Sequence, residues 1–301
     1  YPFLDFSTLQ AREFDCREEL RLNARLAPGV YLGLLALHWQ PGAGLALLPE
    51  ERLPATGHTL DWLVLMRRLP AGRMLDRLIA DNTVTPQDID ALVGVLAAFY
   101  RHAAACPTAD PVARLQREQA ASREVLLRPQ FRLHGAATAL DHLDQALLRH
   151  GGLLQARAAE GRIVDGHGDL RPEHVCLLQP PVVIDALEFN AALRQVDPFD
   201  ELAYLGLECE MAGAPWIGPR LVQGCAAALG GAPPAALLQI YTAARALLRA
   251  RLAMAHLLDP EPRRPAHWPA QAQRFIERAL QALAALEGRG GIDAATFHGS
   301  P

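Results

Sequence analysis

His167-Gly168-Asp169-Leu170-Arg171-Pro172-Glu173-His174, then Val175-Cys176-Leu177-Leu178, Gln179-Pro180-Pro181 and Val182-Val183-Ile184-Asp185, form the stretch on which the reading of this chain turns. Two short apolar runs flank a proline-rich turn, and polar residues stand at both ends. The pattern predicts a β-hairpin set inside a chain whose texture is otherwise helical. A hairpin returns its ends to one place, so Asp169, before the first strand, and Asp185, after the second, are expected to converge. Two converging carboxylates can hold a divalent cation and accept a proton, which is what phosphoryl transfer asks of a protein. Asp is also a turn residue, and the pair can be read as plain strand terminators. Spacing alone leaves both readings open.

Outward from the hairpin, helices are expected near 112–127, 136–158, 199–211, 219–228, 234–257 and 267–287. Thr85-Pro86-Gln87-Asp88 reads as an N-cap with Pro at the first helical position, leading into Ile89, Leu92, Val93, Leu96 and Phe99 on one face. Ser7 and Gln10 form a capping-box pattern that opens a first helix. The apolar runs at 30–38 and 60–66 read as strands. The layout predicts a strand-bearing small lobe over 1–68, a mainly helical lobe over 69–290 and a flexible tail over 291–301.

Composition narrows the function classes. Half of the 301 residues are hydrophobic and 21% are charged, enough apolar material for a sizeable core. All 29 basic residues are Arg, set against 33 acids, and the net charge of −4 comes without a basic tail or an aromatic-studded basic stripe. No nucleic-acid partner is expected. No apolar run spans a bilayer and there is no signal peptide, so no membrane partner is expected either. Five scattered cysteines, an odd number, argue for a reducing, cytoplasmic setting. The start at Tyr1 reads as that of a fragment whose upstream part is missing. Arg245, Arg249 and Arg251 could contact phosphates but read better as a solvated basic face, and Glu201, Glu208 and Glu210 could face a cationic substrate but read better as lying on a surface helix.

The quoted stretch, taken with Val196-Asp197-Pro198-Phe199-Asp200-Glu201-Leu202-Ala203, resembles the aminoglycoside phosphotransferase family, relatives of the choline and protein kinases. Phe3-Leu4-Asp5-Phe6-Ser7-Thr8-Leu9 and Leu187-Glu188-Phe189-Asn190 resemble the branch in which this module precedes a P-loop ATP-binding half. The resemblance implies an α+β, protein kinase-like two-lobed fold with a truncated N-terminal lobe. It implies transfer of the γ-phosphate of ATP, with Mg²⁺, to a hydroxyl of a small-molecule substrate, and a fused or partner P-loop domain. Asp169 matches the family's catalytic base and His167 the histidine that braces its loop. Asp185 matches the metal-binding aspartate, and His174 stands where the family has a metal-binding asparagine. Imidazole suits Mn²⁺ better than Mg²⁺. Asp200 resembles the buried scaffold aspartate of the next helix, with Asp197 as that helix's N-cap. Glu19 matches the glutamate that pairs with a nucleotide-binding lysine. Met66 and Arg68 lie in Leu65-Met66-Arg67-Arg68-Leu69-Pro70, where the family's interlobe hinge passes adenine.

Two departures qualify these expectations. The family's glycine-rich loop and strand lysine lie upstream of the matched region, so this chain alone is expected to bind ATP weakly and to be inactive. His174 replaces an oxygen donor with a nitrogen. Both departures favour a rival reading, a kinase-fold binding or regulatory module for a P-loop ATPase. Intact His167, Asp169 and Asp185 favour the enzyme.

Overall fold

The computed structural model describes residues 6–293. The elements run α1 (Leu9–Asn23), β1 (Tyr31–Gln40), β2 (Gly44–Pro49), β3 (His58–Met66), α2 (Leu75–Ala80), α3 (Pro86–His102), α4 (Pro111–Leu126), α5 (Ala136–Ala159), β4 (Val164–Asp165), β5 (Val175–Cys176), β6 (Val182–Val183), α6 (Ala191–Arg194), β7 (Gln195–Val196), α7 (Pro198–Met211), α8 (Ile217–Leu229), α9 (Ala235–Ala255) and α10 (His267–Asp293). The class is mixed α+β and mostly helical, with one small N-terminal antiparallel sheet. Among the described residues no helix is long and apolar enough to cross a membrane. All five cysteines are free thiols.

Contacts group the chain into two compact units, drawn differently from a boundary at residue 68. The first takes the chain to Ala104, Val164–Val196 and Glu208–Leu229; the second takes Ala105–Ile163, Asp197–Leu207 and the chain from Gly230. In the expected tail, residues 291–293 close α10 and the remainder lies outside the described residues.

In the first unit, β2, β1 and β3 form an antiparallel sheet in that order. The side chains of Leu34, Ala36 and His38 alternate into its buried face. Helix α1 starts one residue later than the sequence pattern suggests: the Thr8 hydroxyl, not Ser7, accepts the Ala11 N–H, at 3.1 Å. Strand β2 lies outside the two runs read as strands, since Gly44-Leu45-Ala46-Leu47-Leu48-Pro49 lacks the β-branched residues that mark strands. Thr85 and Asp88 make the reciprocal capping box of α3. Helix α8 lies so close to α3 that a Cβ on Gly224 would stand 2.7 Å from Val93 Cγ1. Only glycine permits that approach.

The hairpin belongs to this unit. Val175 pairs with Val183 and Cys176 with Val182, so both strands are only two residues long. An isolated ladder that short is marginal, but this one is flanked on both sides. Met74 bridges Cys176, and the Val183 N–H donates to Leu26 O at 3.1 Å. Ala27, Val30, Cys176 and Val182 close a small core beneath it, joined by Met66, Met74 and Ile184.

The second unit is a helical bundle of α4, α5, α9, α10 and the first part of α7. Leu140, Leu143, Ile240, Leu247, Phe275 and Ile276 are buried in its core. Helix α7 is not a surface helix: Glu201 is fully buried, as are Leu202 and Leu205 of the turn that follows it. Nor is Arg245 part of a solvated face. It is buried and donates to Asp200 at 2.8 and 3.1 Å, while Arg251 donates to Glu118 at 2.7 Å. The partners lie far away in sequence, so the local run of arginines conceals the pairing.

Candidate functional site

The site begins at the turn that leaves β4. Gly168 has φ +93, and a Cβ there would sit 2.7 Å from Leu187 Cβ, so the turn admits only glycine. This brings His167 into the interior, fully buried. Its Nδ1 lies 3.2 Å from the Asp169 N–H and its Nε2 2.9 Å from Ile184 O. An amide can only donate and a carbonyl only accept, which assigns the neutral Nε2–H tautomer. The ring therefore ties the loop before the hairpin to the strand after it.

Burial, with the nearby His174 ring, pushes the His167 pKa down to about 4. In the unfolded chain the imidazole titrates near its ordinary value of about 6.5. The unfolded state then binds the extra proton between those values, so the stability due to neutral His167 is complete above pH about 6.5 and is lost as pH falls towards 4. The expected loss is on the order of 3 kcal/mol. Denaturant titrations of wild type and His167→Gln at several pH values test this: the variant should lack that decline. Parallel pH profiles would contradict the assignment.

Four side chains gather at the hairpin's open end. Pro172 starts a single 3₁₀ turn that carries His174 back over Asp169. The His174 Nδ1–H donates to Asp169 O at 2.8 Å, and its Nε2 lies 3.0 Å from Asp185 Oδ2. Arg171 donates through Nε to Asp169 Oδ2 at 3.0 Å and pairs with Glu173 at 2.7 Å; its Nη2 stands 3.2 Å from His174 Nε2. Guanidinium only donates, so Nε2 either accepts from Arg171 as a neutral ring or donates to Asp185 as an imidazolium. Burial lowers the His174 pKa, but the hydrogen bond to Asp185 and the charges of Asp169 and Asp185 outweigh it, and the net shift is upward. That same bond holds Asp185 below the usual carboxylate range against partial desolvation.

Asp185 has φ +65, a left-handed conformation that costs a non-glycine residue on the order of 1 kcal/mol. Its N–H donates to Tyr31 Oη at 3.2 Å, and the next N–H, of Ala186, donates to buried Asn23 Oδ1 at 2.8 Å. The end of α1 and the start of β1 thus clamp the strained residue with its carboxylate exposed. Arg25 and Arg194 meet at Asp165, with distances of 3.1 and 2.8 Å, and fix the loop's entry.

The 3.0 Å between His174 Nε2 and Asp185 Oδ2 matches two adjacent ligands on one octahedral ion with bonds of about 2.1 Å. A proton or a metal can therefore bridge the pair. Among the described residues no group of three or more His, Cys, Asp or Glu side chains is placed to hold a metal, so the pair could supply two ligands and the rest would come from phosphate and water.

The remaining expected residues divide. Glu19 on α1 is half-buried, and burial with the like charges of Glu188 and Asp185 raises its pKa to about 7. Its carboxyl shares the field of the hairpin's open end. Met66 ends β3 with its side chain on the hairpin core, and Arg68 is exposed two residues on. Asp200 is fully buried in the second unit, where it accepts from Arg245 and Arg114. Asp197 caps α7, its Oδ1 accepting the Phe199 N–H at 2.9 Å. It also accepts twice from Arg157, at 2.6 and 3.0 Å. Sequence reasoning passed over Arg171, although it stands inside the quoted motif, and Asn23, Tyr31, Arg25 and Arg194, which carry no local signal.

No protein-family model matches the chain. Over 313 aligned positions, 98% of this chain, it is 29% identical to uncharacterized protein Rv2004c of Mycobacterium tuberculosis. The same figures hold for uncharacterized protein Mb2027c of Mycobacterium bovis. The chain spans 58% of the length of these curated relatives, and their names carry no activity.

Proposed function

We propose that this chain is the catalytic module of a phosphotransferase resembling the aminoglycoside phosphotransferases, moving the γ-phosphate of ATP to a hydroxyl of a small molecule. The observation that carries the reading is the convergence of Asp169, Arg171, His174 and Asp185, joined by bonds of 2.8–3.0 Å at one end of a hairpin. In this reading Asp169 orients the acceptor hydroxyl and takes its proton as the oxygen attacks the phosphorus and the bond to the β-phosphate oxygen breaks. Arg171 offsets the charge of the phosphoryl group, since phosphoryl transfer rests on positioning and charge neutralisation. Asp185 and His174 would hold Mg²⁺ or Mn²⁺, which supplies charge neutralisation and orients the phosphates. With no lysine in the chain, every phosphate contact from a basic side chain here falls to arginine. The test supplies the intact protein with γ-labelled ATP, a divalent metal and a pool of small hydroxyl compounds. Label should appear in a phosphate ester only when metal is present, and its absence across the pool would count against transfer.

A binding or regulatory module for a fused or partner P-loop ATPase is the second reading, supported by His174, which stands where the resembled family has an oxygen ligand. The two differ at His174. A nitrogen ligand favours Mn²⁺ and an amide oxygen favours Mg²⁺. His174→Asn in the intact protein is therefore expected to move the metal preference of transfer from Mn²⁺ towards Mg²⁺. An unchanged metal profile would reduce His174 to a brace between Asp169 and Asp185.

A further inference from the structure

The β2-β1-β3 sheet buries one face and leaves the other open. Opposed residues of an antiparallel pair share a face, and the register sets Leu45 opposite Trp39, Leu47 opposite Leu37, Leu35 opposite Leu63 and Gly33 opposite Leu65. The open face therefore carries Leu45 and Leu47 of β2, Trp39 of β1, and Leu63 and Leu65 of β3. These five are 42–63% exposed, where a solvated face would alternate to polar residues. Asp61, the one carboxylate in that register, is ion-paired with Arg12 at 2.7 Å. Strand β2 has no charged residue at all, although edge strands ordinarily use charge to repel one another.

We propose that this open sheet face is the contact between two copies of the chain, stacked face to face about a two-fold axis. Its chemistry admits a flat apolar occupant without charge, and an identical face meets that description. The five side chains expose on the order of 500 Å² per copy, and pairing two copies covers about 1,000 Å², the size at which a specific interface becomes credible. It is also near the upper limit of what a monomer leaves open. Two sheets stacked about 10 Å apart interdigitate such leucines as the layers of a β-sandwich do.

Sedimentation equilibrium of the intact protein across a wide range of concentration tests the proposal. Wild type should fit a reversible dimer. Leu47→Glu buries a charge in the contact and should give a monomer, while Leu148→Glu, at an 80% exposed position on α5, should remain dimeric. If Leu47→Glu loses the wild-type circular dichroism, Leu45→Glu, at 63% exposure, decides in its place. A monomeric wild type, or a dimer that both sheet variants leave intact, would overturn the proposal.

Discussion

Asp169→Asn in the intact protein should lower transfer to the hydroxyl acceptor by about 10²–10⁴-fold, the contribution of a positioned general base. The substitution is nearly isosteric. The Asn oxygen can still accept from Arg171 Nε, which lies 3.0 Å from the carboxylate, and the backbone oxygen that holds His174 Nδ1 is untouched. What is lost is the capacity to take a proton and the negative charge that orients the hydroxyl. The thermal midpoint should therefore stay close to that of wild type while turnover collapses. Unchanged turnover would remove Asp169 from the chemistry and leave it as the turn residue that the spacing equally allowed.

Asp200→Ala should cost about 3–5 kcal/mol of folding stability, the range for removing one partner of a buried ion pair. Arg245 is buried, Arg114 is only 12% exposed, and both aim at this carboxylate. Without it two guanidinium groups remain in the bundle with their charge uncompensated. Burial works against the ionised carboxyl, but the two arginines dominate and hold its pKa below the ordinary value. A depressed carboxyl pKa stabilises the fold above the unfolded value and loses that contribution as pH falls through the folded one. Guanidinium-chloride midpoints at neutral pH measure the effect, with an unchanged slope showing that the fold is retained. A loss below about 1 kcal/mol would contradict the account. Replacing the whole triad, Asp200→Leu with Arg245→Met and Arg114→Met, should recover much of it, because an apolar replacement of all three removes the desolvation cost of the charges.

How much the sequence discloses follows from how local each feature is. The hairpin was legible because Gln179-Pro180-Pro181 interrupts two apolar runs, and a hairpin's geometry then brings Asp169 and Asp185 together. Thr85-Pro86-Gln87-Asp88 was legible for the same reason, since a cap and its helix are neighbours. Asp185's left-handed backbone was not, because it is held by Tyr31 and Asn23, more than 150 residues away. Arg245 read as solvent-facing because its partner stands 45 residues earlier, and Glu201 as exposed because nothing local says that α7 is enclosed. His174 was legible as a departure from the family that the motif resembles, which has an asparagine there. Its hydrogen bond to the Asp169 carbonyl, which makes it a brace as well, needs the turn that Pro172 begins.

The hairpin's open end as a metal–phosphate site is tested most directly by electron paramagnetic resonance of Mn²⁺ titrated with ATP into the intact protein and into Asp185→Ala. The exposed carboxylate of Asp185 lies 3.0 Å from His174 Nε2, and removing it leaves a single donor, too few to hold the ion there. Wild type and Asp169→Asn should bind one equivalent more of Mn²⁺·ATP than Asp185→Ala does. Equal binding by Asp185→Ala and wild type would contradict the site and the transfer reaction built on it.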